Sequence, residues 1–322
     1  MTRPSIFVTR RWPSPAEEAL SALFDVTFNA DDRPLSKDEL MAGVASHDMA
    51  APTVSDVIDA DVVAAGAAGR CRMIANYGVG VNHIDLVSAA AHGIAVSNTP
   101  GVLTDATADL TLTLMLMLSR RAGEGERELR AGAWNGWGPT HLVGRQMTGK
   151  TLGIIGMGRI GQAVARRAHF GFGMDVVFQN RSAVTGGAGV GARQLASVAE
   201  VCAASDYVSL HCAATAETRH ILGADALAAM SPDAYVINTA RGDVVDEAAL
   251  VAALESGTIA GAGLDVFQGE PVVNPAILAA PNTVLLPHLG SATQETRVAM
   301  GMKVVENARA FAAGTPLPDP VG

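Results

Sequence analysis

The sequence predicts an α/β protein with two doubly wound, Rossmann-like domains, each built on a parallel sheet. A length of 322 residues corresponds to about two domains, and 49% hydrophobic residues suffice for two sizeable cores. Short apolar segments such as Ile6–Thr9 and Tyr207–Leu210 alternate with helical segments along the chain, a pattern typical of parallel sheets with helices on both faces. A GxGxxG motif also joins the apolar segment Leu152–Ile155 to a helical one.

The N-terminal third shows alternating β-like and helical segments with helix-start signals. Capping boxes are predicted at Ser14–Glu17 and Ser36–Glu39, and a long apolar helix is predicted from Ala106 to about Leu118. The predicted strands of this region and of the part that follows Gly149 are short and bounded by polar residues or glycine. They are Ile6–Thr9, Val26–Phe28, Met73–Ala75, Ile94–Val96, Leu152–Ile155, Val176–Phe178, Tyr207–Leu210, Tyr235–Asn238, Gly263–Val266 and Val284–Leu286.

The GxGxxG segment predicts a dinucleotide-binding turn. Gly156 permits a tight turn, Gly158 lets the backbone approach a pyrophosphate, and Gly161 lets the helix pack close to the strand. The helix start, with Arg159 and Ile160, is expected to offer N–H groups to the phosphates. The alternative is a plain βα turn, which the preceding strand and the following helix disfavour.

The end of the next predicted strand bears on the choice of cofactor. An acid that accepts the ribose hydroxyls is expected there, but the chain has Asn180, Arg181 and Ser182, and Asp175 lies at the other end of the strand. An arginine suits a ribose 2′-phosphate, which it can bind with two parallel hydrogen bonds. We therefore expect NADP(H) to be preferred and NAD(H) to be possible, unless Arg181 is only a solvated loop charge.

Three segments after later strands carry residues suited to the reduction of an α-keto acid. Arg241 could bind the substrate carboxylate and polarise the carbonyl, His288 could supply a proton, and Glu270 could hold the imidazolium. In an open α/β sheet, ligands bind outside the carboxyl ends of the strands, where all three residues fall. Taken singly, these residues have simpler explanations. His288 could be a structural histidine, and Arg241 could form a loop salt bridge with Asp243.

The ordered motifs of the chain resemble those of the D-isomer-specific 2-hydroxyacid dehydrogenases, and most closely the glyoxylate/hydroxypyruvate reductases among them. The resemblance covers nearly the whole chain. Two positions are notable: Asp109 stands where the family usually has Glu, and the acid that the NAD-using members carry near Arg181 is missing, which agrees with the NADPH-using reductases. The motifs that carry it are NYGVGVNHID, TPGVLTDATADLTLTLML, the loop with Trp134 and Trp137, GIIGMGRIGQAVARR, INTARGDVVDEAAL, AGAGLDVFQGEP and LPHLGSAT.

The resemblance implies a role for further residues. Arg241, Glu270 and His288 match the catalytic residues of the family. The Val79–Gly80 backbone and Ser291 match substrate contacts, and Trp137 matches a residue that reaches into the active site of the neighbouring subunit of a homodimer. The residues that match the cofactor groove are Cys212, Ala213, Thr239, Ala240 and Asp265.

The family arrangement also implies a discontinuous substrate-binding domain. It would comprise residues 1–99 and 289–322, around a dinucleotide-binding Rossmann domain of residues 100–288. The substrates implied are the small 2-keto acids glyoxylate and hydroxypyruvate. Two alternatives remain: an NAD-linked dehydrogenase for a bulkier substrate, such as 2-ketogluconate or an aromatic keto acid, and a non-catalytic, nucleotide-sensing protein similar to corepressors of this fold.

Composition argues against several other classes of protein. A formal charge of −9 gives no electrostatic reason to bind nucleic acid or an anionic membrane. The most apolar run, Leu110–Leu118, is too short to span a membrane, and three scattered cysteines with unpaired histidines predict neither disulfides nor a metal site. We expect a cytoplasmic protein. His83 could face the substrate and His211 could border the cofactor, although a structural role is the simpler reading for His211.

Overall fold

The computed structural model describes residues 3–322 and divides into two compact units. The first runs up to Leu103 and resumes at Ala292–Gly322, and the second comprises Thr104–Ser291. The sequence analysis placed the corresponding boundaries at 99/100 and 288/289.

Strands and helices alternate through both units. The strands are β1 Ser5–Val8, β2 Asp25–Phe28, β3 Met49–Ala51, β4 Met73–Ala75, β5 Ala95–Ser97, β6 Thr151–Ile155, β7 Asp175–Gln179, β8 Arg193–Gln194, β9 Tyr207–Leu210, β10 Tyr235–Asn238, β11 Gly261–Leu264 and β12 Thr283–Leu285. The helices are α1 Ser14–Leu23, α2 Lys37–Ser46, α3 Ala60–Ala68, α4 Leu86–Ala91, α5 Thr104–Ser119, α6 Ala122–Arg130, α7 Arg159–Phe172, α8 Val198–Ala203, α9 Ala224–Ala228, α10 Glu247–Glu255, α11 Pro275–Ala279 and α12 Gln294–Ala312.

The first unit is a five-stranded parallel sheet in the order β2-β1-β3-β4-β5. Alternate side chains of each strand enter opposite cores, because successive residues of a strand point to opposite faces. Ile6 and Val8 of β1 join the core that α1 and α12 cover, whereas Phe7 joins the core beneath α2 and α3. This strand order is one of the two common doubly wound arrangements. The chain adds strands toward one edge of the sheet up to β2 and toward the other edge from β3, so the winding reverses between β1 and β3.

The second unit is a seven-stranded parallel sheet in the order β12-β11-β10-β9-β6-β7-β8. The chain adds strands toward one edge from β6 to β8 and toward the other edge from β9 onward, so the winding reverses between β6 and β9. Dinucleotides bind at this reversal point in this strand order. One core contains α5 and α7, and the other contains α8 to α11. No helix within residues 3–322 combines the length and the apolar character that crossing a bilayer requires.

The predicted fold class is confirmed, and the differences from the sequence-based elements are local. β3, with the sequence Met-Ala-Ala, and the two-residue β8 lack the β-branched pattern that marks a strand, and neither was predicted. β11 begins two residues earlier than expected, at Gly261, because it pairs along β10 from Tyr235.

Only one of the two predicted capping boxes forms. Ser36 and Glu39 make both reciprocal hydrogen bonds at the start of α2, as predicted. The box at Ser14 is wrong, because Pro13 occupies the N-cap position and no side chain caps α1. The carboxylate of Glu17 instead accepts the backbone N–H of Trp12 and pairs with Arg11.

Candidate active site

The turn between β6 and α7 has the geometry of a phosphate site. Gly156 has a φ of 97°, and a Cβ there would lie 2.6 Å from the backbone nitrogen of Cys212. A Cβ on Gly161 would lie 2.4 Å from the carbonyl oxygen of Gly156, so both positions require glycine for reasons internal to the protein.

Gly158 differs from these two glycines. An added Cβ would meet no neighbouring described atom within 4 Å, so the protein alone does not explain the glycine. The 14-residue helix α7 begins at the next residue, Arg159, with no side-chain cap among the described residues. Open space in front of an uncapped helix N-terminus fits the close approach of a pyrophosphate.

The carboxyl end of β7 carries the residues that bear on cofactor choice. The Asn180 amide donates to the carbonyl and the hydroxyl of Ser182, and the Arg181 side chain is 89% exposed. Arg181 Nη1 lies 3.2 Å from Glu217 Oε2, in the loop after β9. The sequence analysis missed Glu217, because only the pairing of β6 with both β7 and β9 brings its loop to this edge.

The residues after β9 border the phosphate turn. Cys212 and Ala213 follow His211, whose Nε2 lies 2.8 Å from the hydroxyl of Ser209. Burial lowers the pKa of His211 to about 3, so this imidazole is neutral at physiological pH. Burial likewise raises the pKa of the Cys212 thiol to about 11. Neither group is poised for proton transfer at neutral pH, which supports a structural role for His211.

Arg241 is placed by a turn that Asn238 organises. Asn238 is 1% exposed; its amide donates to the carbonyl of Arg241, and its side-chain oxygen accepts the N–H of Ala240. The hydroxyl of the next residue, Thr239, lies 3.0 Å from the hydroxyl of Thr111 on α5. The Arg241 guanidinium donates to the carbonyl of Ala240; burial lowers its pKa, and the negative charge of Glu270 opposes that effect.

His288 and Glu270 form a hydrogen-bonded pair between the loops that follow β11 and β12. His288 Nδ1 lies 2.7 Å from Glu270 Oε2, while Glu270 Oε1 accepts the N–H of Phe267. Burial of Glu270 opposes ionisation, but hydrogen bonding and charge from His288, the Phe267 N–H and Arg241 outweigh it and lower its pKa. The carboxylate is therefore ionised at neutral pH and holds the imidazole by Nδ1.

Asp265 anchors the segment that carries His288. The residue is 1% exposed, and its carboxylate accepts the N–H groups of Leu289 and Gly290, at 2.6 and 2.8 Å. His288 itself has a φ of 56°, a left-handed conformation that a non-glycine residue rarely adopts. A role for Asp265 at the cofactor stays a prediction; its contacts in the structure are to the backbone of this loop.

In the first unit, side-chain amides hold the Val79–Gly80 loop. Asn76 Nδ2 donates to the carbonyls of Gly78 and Gly80, and Asn98 Nδ2 donates to that of Val79. Within the described residues, no protein acceptor takes the N–H of Val79 or of Gly80. Two neighbouring N–H groups without a protein partner on a fixed loop are suited to hold a carboxylate.

His83 acts on this loop through Asn76. Its Nε2 lies 3.0 Å from Asn76 Oδ1, which orients the amide that holds both glycine carbonyls. Asn76 was missed in the sequence analysis, because an asparagine at the end of a strand shows no pattern that distinguishes a loop clamp from a turn residue.

The remaining predicted residues are Ser291 and Trp137. Ser291 follows Gly290 at the end of the second unit. Trp137 is 85% exposed and Trp134 is 52% exposed. Among residues 3–322, no cluster of three or more His, Cys, Asp or Glu side chains is arranged to hold a metal ion.

The two glycines at the start of the phosphate turn should respond differently to alanine. Gly156→Ala forces a side chain into left-handed backbone and against Cys212, so we expect it to lower the free energy of unfolding by about 2 kcal/mol or more. Gly158→Ala should change stability by less than about 0.5 kcal/mol and weaken NADPH binding by at least about tenfold. Denaturant unfolding and fluorescence titration measure these effects. A Gly158→Ala variant with unchanged NADPH affinity would exclude this turn as the phosphate site.

Comparison with known proteins places the chain in a family. Residues 112–290 match the family model described as D-isomer specific 2-hydroxyacid dehydrogenase, NAD binding domain. A glyoxylate reductase of Thermococcus litoralis is 40% identical over 316 residues, which cover 97% of this chain and 95% of that protein.

Two solved structures show the same fold over nearly the whole chain. An NADPH-dependent glyoxylate/hydroxypyruvate reductase from Sinorhizobium meliloti, in complex with NADP and malonate, superposes with a TM-score of 0.87 at 35% identity, covering 100% of this chain and 97% of that one. The D-mandelate dehydrogenase of Rhodotorula graminis gives a TM-score of 0.88 at 28% identity, covering 100% and 98%. The chain thus belongs to the D-isomer-specific 2-hydroxyacid dehydrogenases.

Proposed function

We propose that this protein reduces the small 2-keto acids glyoxylate and hydroxypyruvate to 2-hydroxy acids with NAD(P)H. The observation that carries the proposal is the hydrogen-bonded pair of His288 and Glu270, with Arg241 close enough for its charge to act on Glu270. All three residues follow the carboxyl ends of neighbouring strands, β10 to β12, of a sheet whose reversal point holds the GxGxxG turn. Relatives named glyoxylate reductase at about 40% identity support this choice of substrate.

Each residue has a distinct role in the proposed reaction. The turn of Gly156, Gly158 and Gly161 would hold the pyrophosphate of a nicotinamide dinucleotide, which would supply the hydride when bound. Arg241 binds the substrate carboxylate and polarises the carbonyl, because a guanidinium can donate two parallel hydrogen bonds to oxygen. His288 gives the proton to the carbonyl oxygen from Nε2, since Nδ1 is engaged by Glu270. Glu270 stabilises the positive imidazolium before that transfer.

The N–H groups of Val79 and Gly80 hold a carboxylate in this proposal. The carbonyls of the loop are occupied by Asn76 and Asn98, so the loop is prepared before a ligand arrives. Ser291 is proposed as a further substrate contact. The first unit then serves as the substrate-binding domain and the second as the dinucleotide-binding domain.

NADP(H) is the proposed preferred cofactor. Arg181 is largely exposed at the end of β7, and its partner Glu217 is itself 73% exposed, so water screens the ion pair and a phosphate can compete for the guanidinium. The NADPH-dependent relative from Sinorhizobium meliloti supports this choice. Remaining groove contacts are proposed for Arg159, Ile160, Asn180, Ser182, Cys212, Ala213, Thr239, Ala240 and Asp265.

A homodimer is also proposed. The exposure of Trp137 and Trp134 leaves two large aromatic side chains for a partner subunit to cover, and Leu129 on α6 is 63% exposed. We propose that Trp137 reaches the active site of that partner.

The second candidate function is an NAD-linked dehydrogenase for a bulkier or aromatic keto acid. The likeness to a D-mandelate dehydrogenase favours it, because that protein is named for an aromatic substrate. Comparing kcat/KM for glyoxylate, hydroxypyruvate, 2-ketogluconate and phenylpyruvate separates the two candidates.

Catalysis through His288 gives a direct test of the proposed function. The purified protein should oxidise NADPH when glyoxylate or hydroxypyruvate is added, and His288→Ala should lower kcat by at least about 100-fold because the proton donor is lost. His92→Ala, at the exposed end of α4, is the matched control and should retain full activity. Turnover close to wild type in His288→Ala would remove this residue from the mechanism.

Cofactor preference should depend on Arg181. We expect kcat/KM to be higher with NADPH than with NADH, and Arg181→Ala should lower the NADPH value by about tenfold or more with little change for NADH. Arg193→Ala, an exposed arginine on β8, should affect neither. An equal fall with both cofactors, or a wild-type preference for NADH, would contradict the role of Arg181.

Asn76 is a positioning residue whose loss should weaken substrate binding. Asn76→Ala leaves the carbonyls of Gly78 and Gly80 without their donor, so we expect KM for glyoxylate to rise by about tenfold while kcat falls much less. Asn29→Ala, which frees the carbonyls of Thr9 and Arg33, is the control and should leave KM unchanged. A fall in kcat at constant KM would show that Asn76 does not act through the carboxylate loop.

A further inference from the structure

Residues 319–321 lie along the outer edge of β5, the last strand on one side of the first sheet. The N–H of Val321 donates to the carbonyl of Val96 at 2.8 Å, and the N–H of Asn98 donates to the carbonyl of Asp319 at 3.2 Å. Backbone groups at the edge of a sheet otherwise face water or another chain. This segment satisfies two of them from within the chain.

The sequence of this segment suits the pairing. Pro320 lies opposite Ser97 in an antiparallel bridge, at a position whose N–H the flanking hydrogen bonds do not use. The missing donor of proline therefore costs no hydrogen bond here. Leu317 packs against the core that α1 and α12 cover, and Val321 packs against the core beneath α2 and α3. The segment is thus held on both faces of the sheet.

The side chain of Asp319 anchors the segment to α12. It is 10% exposed, and its carboxylate accepts Lys303 Nζ and Asn307 Nδ2, each at 3.0 Å. Asn307 is fully buried, and its Oδ1 accepts the N–H of Asp319 at 3.0 Å, so the two residues exchange hydrogen bonds. Removing the carboxylate would leave a partly buried ammonium and a buried amide without their partner, which is a substantial cost.

Asn98 connects this anchor to the Val79–Gly80 loop. Its N–H is bound by the carbonyl of Asp319, whereas its Nδ2 donates to the carbonyl of Val79 at 2.8 Å. Asn98 lies one residue beyond the end of β5, so residues 319–321 extend the support of the strand to the residue that carries the amide. The contacts from α12 to the loop form a continuous chain within the first unit.

We propose that Asp319 is a positioning residue for substrate binding. Through residues 319–321 it fixes the backbone of Asn98, and the Asn98 amide in turn fixes the carbonyl of Val79. The proposal rests on the carboxylate-binding role proposed above for the Val79–Gly80 loop. Loss of Asp319 is therefore expected to weaken binding of the keto acid and to leave cofactor binding and the hydride step unaffected.

Steady-state kinetics of the full chain with NADPH and glyoxylate test this role. Asp319→Ala should raise KM for glyoxylate by about fivefold, because a less restrained loop binds the carboxylate less tightly. Both kcat and KM for NADPH should stay within about twofold of wild type. Asp319→Asn retains an oxygen for Lys303 and Asn307, so it should restore KM to nearly the wild-type value.

Asp48→Ala is the matched control. Asp48 also accepts a backbone N–H, that of Ser5, and pairs with Arg70, but it lies at the amino edge of the same sheet, before β3. Its loss should lower the midpoint of thermal unfolding, as the loss of Asp319 does, and leave KM unchanged. An equal rise of KM in Asp48→Ala would show that lost stability alone explains the effect, and would overturn the proposal.

A double-mutant cycle tests the route through Asn98. Asn98→Ala should raise KM at least as much as Asp319→Ala does, and the double variant should raise it no further, because both changes act on the Val79 carbonyl. Effects that multiply would contradict this route. Lys303→Gln keeps the hydrogen bonds of Asn307 and is the milder second variant; it should raise KM in the same direction.

Hydrogen exchange without substrate separates this proposal from the proposed function. The amides of residues 76–81 should exchange faster in Asp319→Ala than in wild type, and at the wild-type rate in Asp48→Ala. If the wild type reduces neither glyoxylate nor hydroxypyruvate, the proposed function fails, and the exchange rates still decide whether Asp319 fixes the loop. Unchanged exchange and unchanged KM in a folded Asp319→Ala variant would overturn the proposal.

Discussion

The buried carboxylate of Asp265 joins the ends of β11 and β12, and the arrangement of the catalytic candidates depends on it. Burial raises the pKa of Asp265, while the N–H groups of Leu289 and Gly290 and the charge of His288 oppose that effect. A buried acid is tolerated only where such hydrogen bonds compensate for lost hydration. These same bonds hold the residues after His288, whose own backbone is in an unfavourable left-handed conformation.

The other parts of the site are held in the same way. In each, a side chain forms hydrogen bonds with backbone N–H or C=O groups and so fixes the conformation of a loop. Asn238 shapes the turn of Arg241, and Glu270 takes the N–H of Phe267 while it binds His288. In the first unit, Asn76 and Asn98 occupy the carbonyls of the Val79–Gly80 loop. Each loop lies at the carboxyl edge of a parallel sheet, where irregular backbone would otherwise leave polar groups without partners.

The sequence predicted what depends on local pattern. Helix periodicity, the capping box at Ser36 and the apolar strands up to β12 are short-range features, and they were recognisable because neighbouring residues determine them. The failure of the box at Ser14 was not recognisable in this way, since it depends on two competing donors to Glu17, the guanidinium of Arg11 and the N–H of Trp12. β3 and β8 form because neighbouring strands offer them hydrogen bonds, not because their own residues favour extended backbone.

By itself, the sequence determined the fold class, and it predicted the dinucleotide turn and the catalytic candidates Arg241, Glu270 and His288, because each follows a recognisable strand or motif. Tertiary structure decided which groups meet: Glu217 with Arg181, His83 with Asn76, and Asp265 with the N–H groups beyond His288. Apart from His83 and Asn76, which are seven residues apart, these contacts join residues far apart in the chain, and only the pairing order of the parallel strands brings their loops to the same edge.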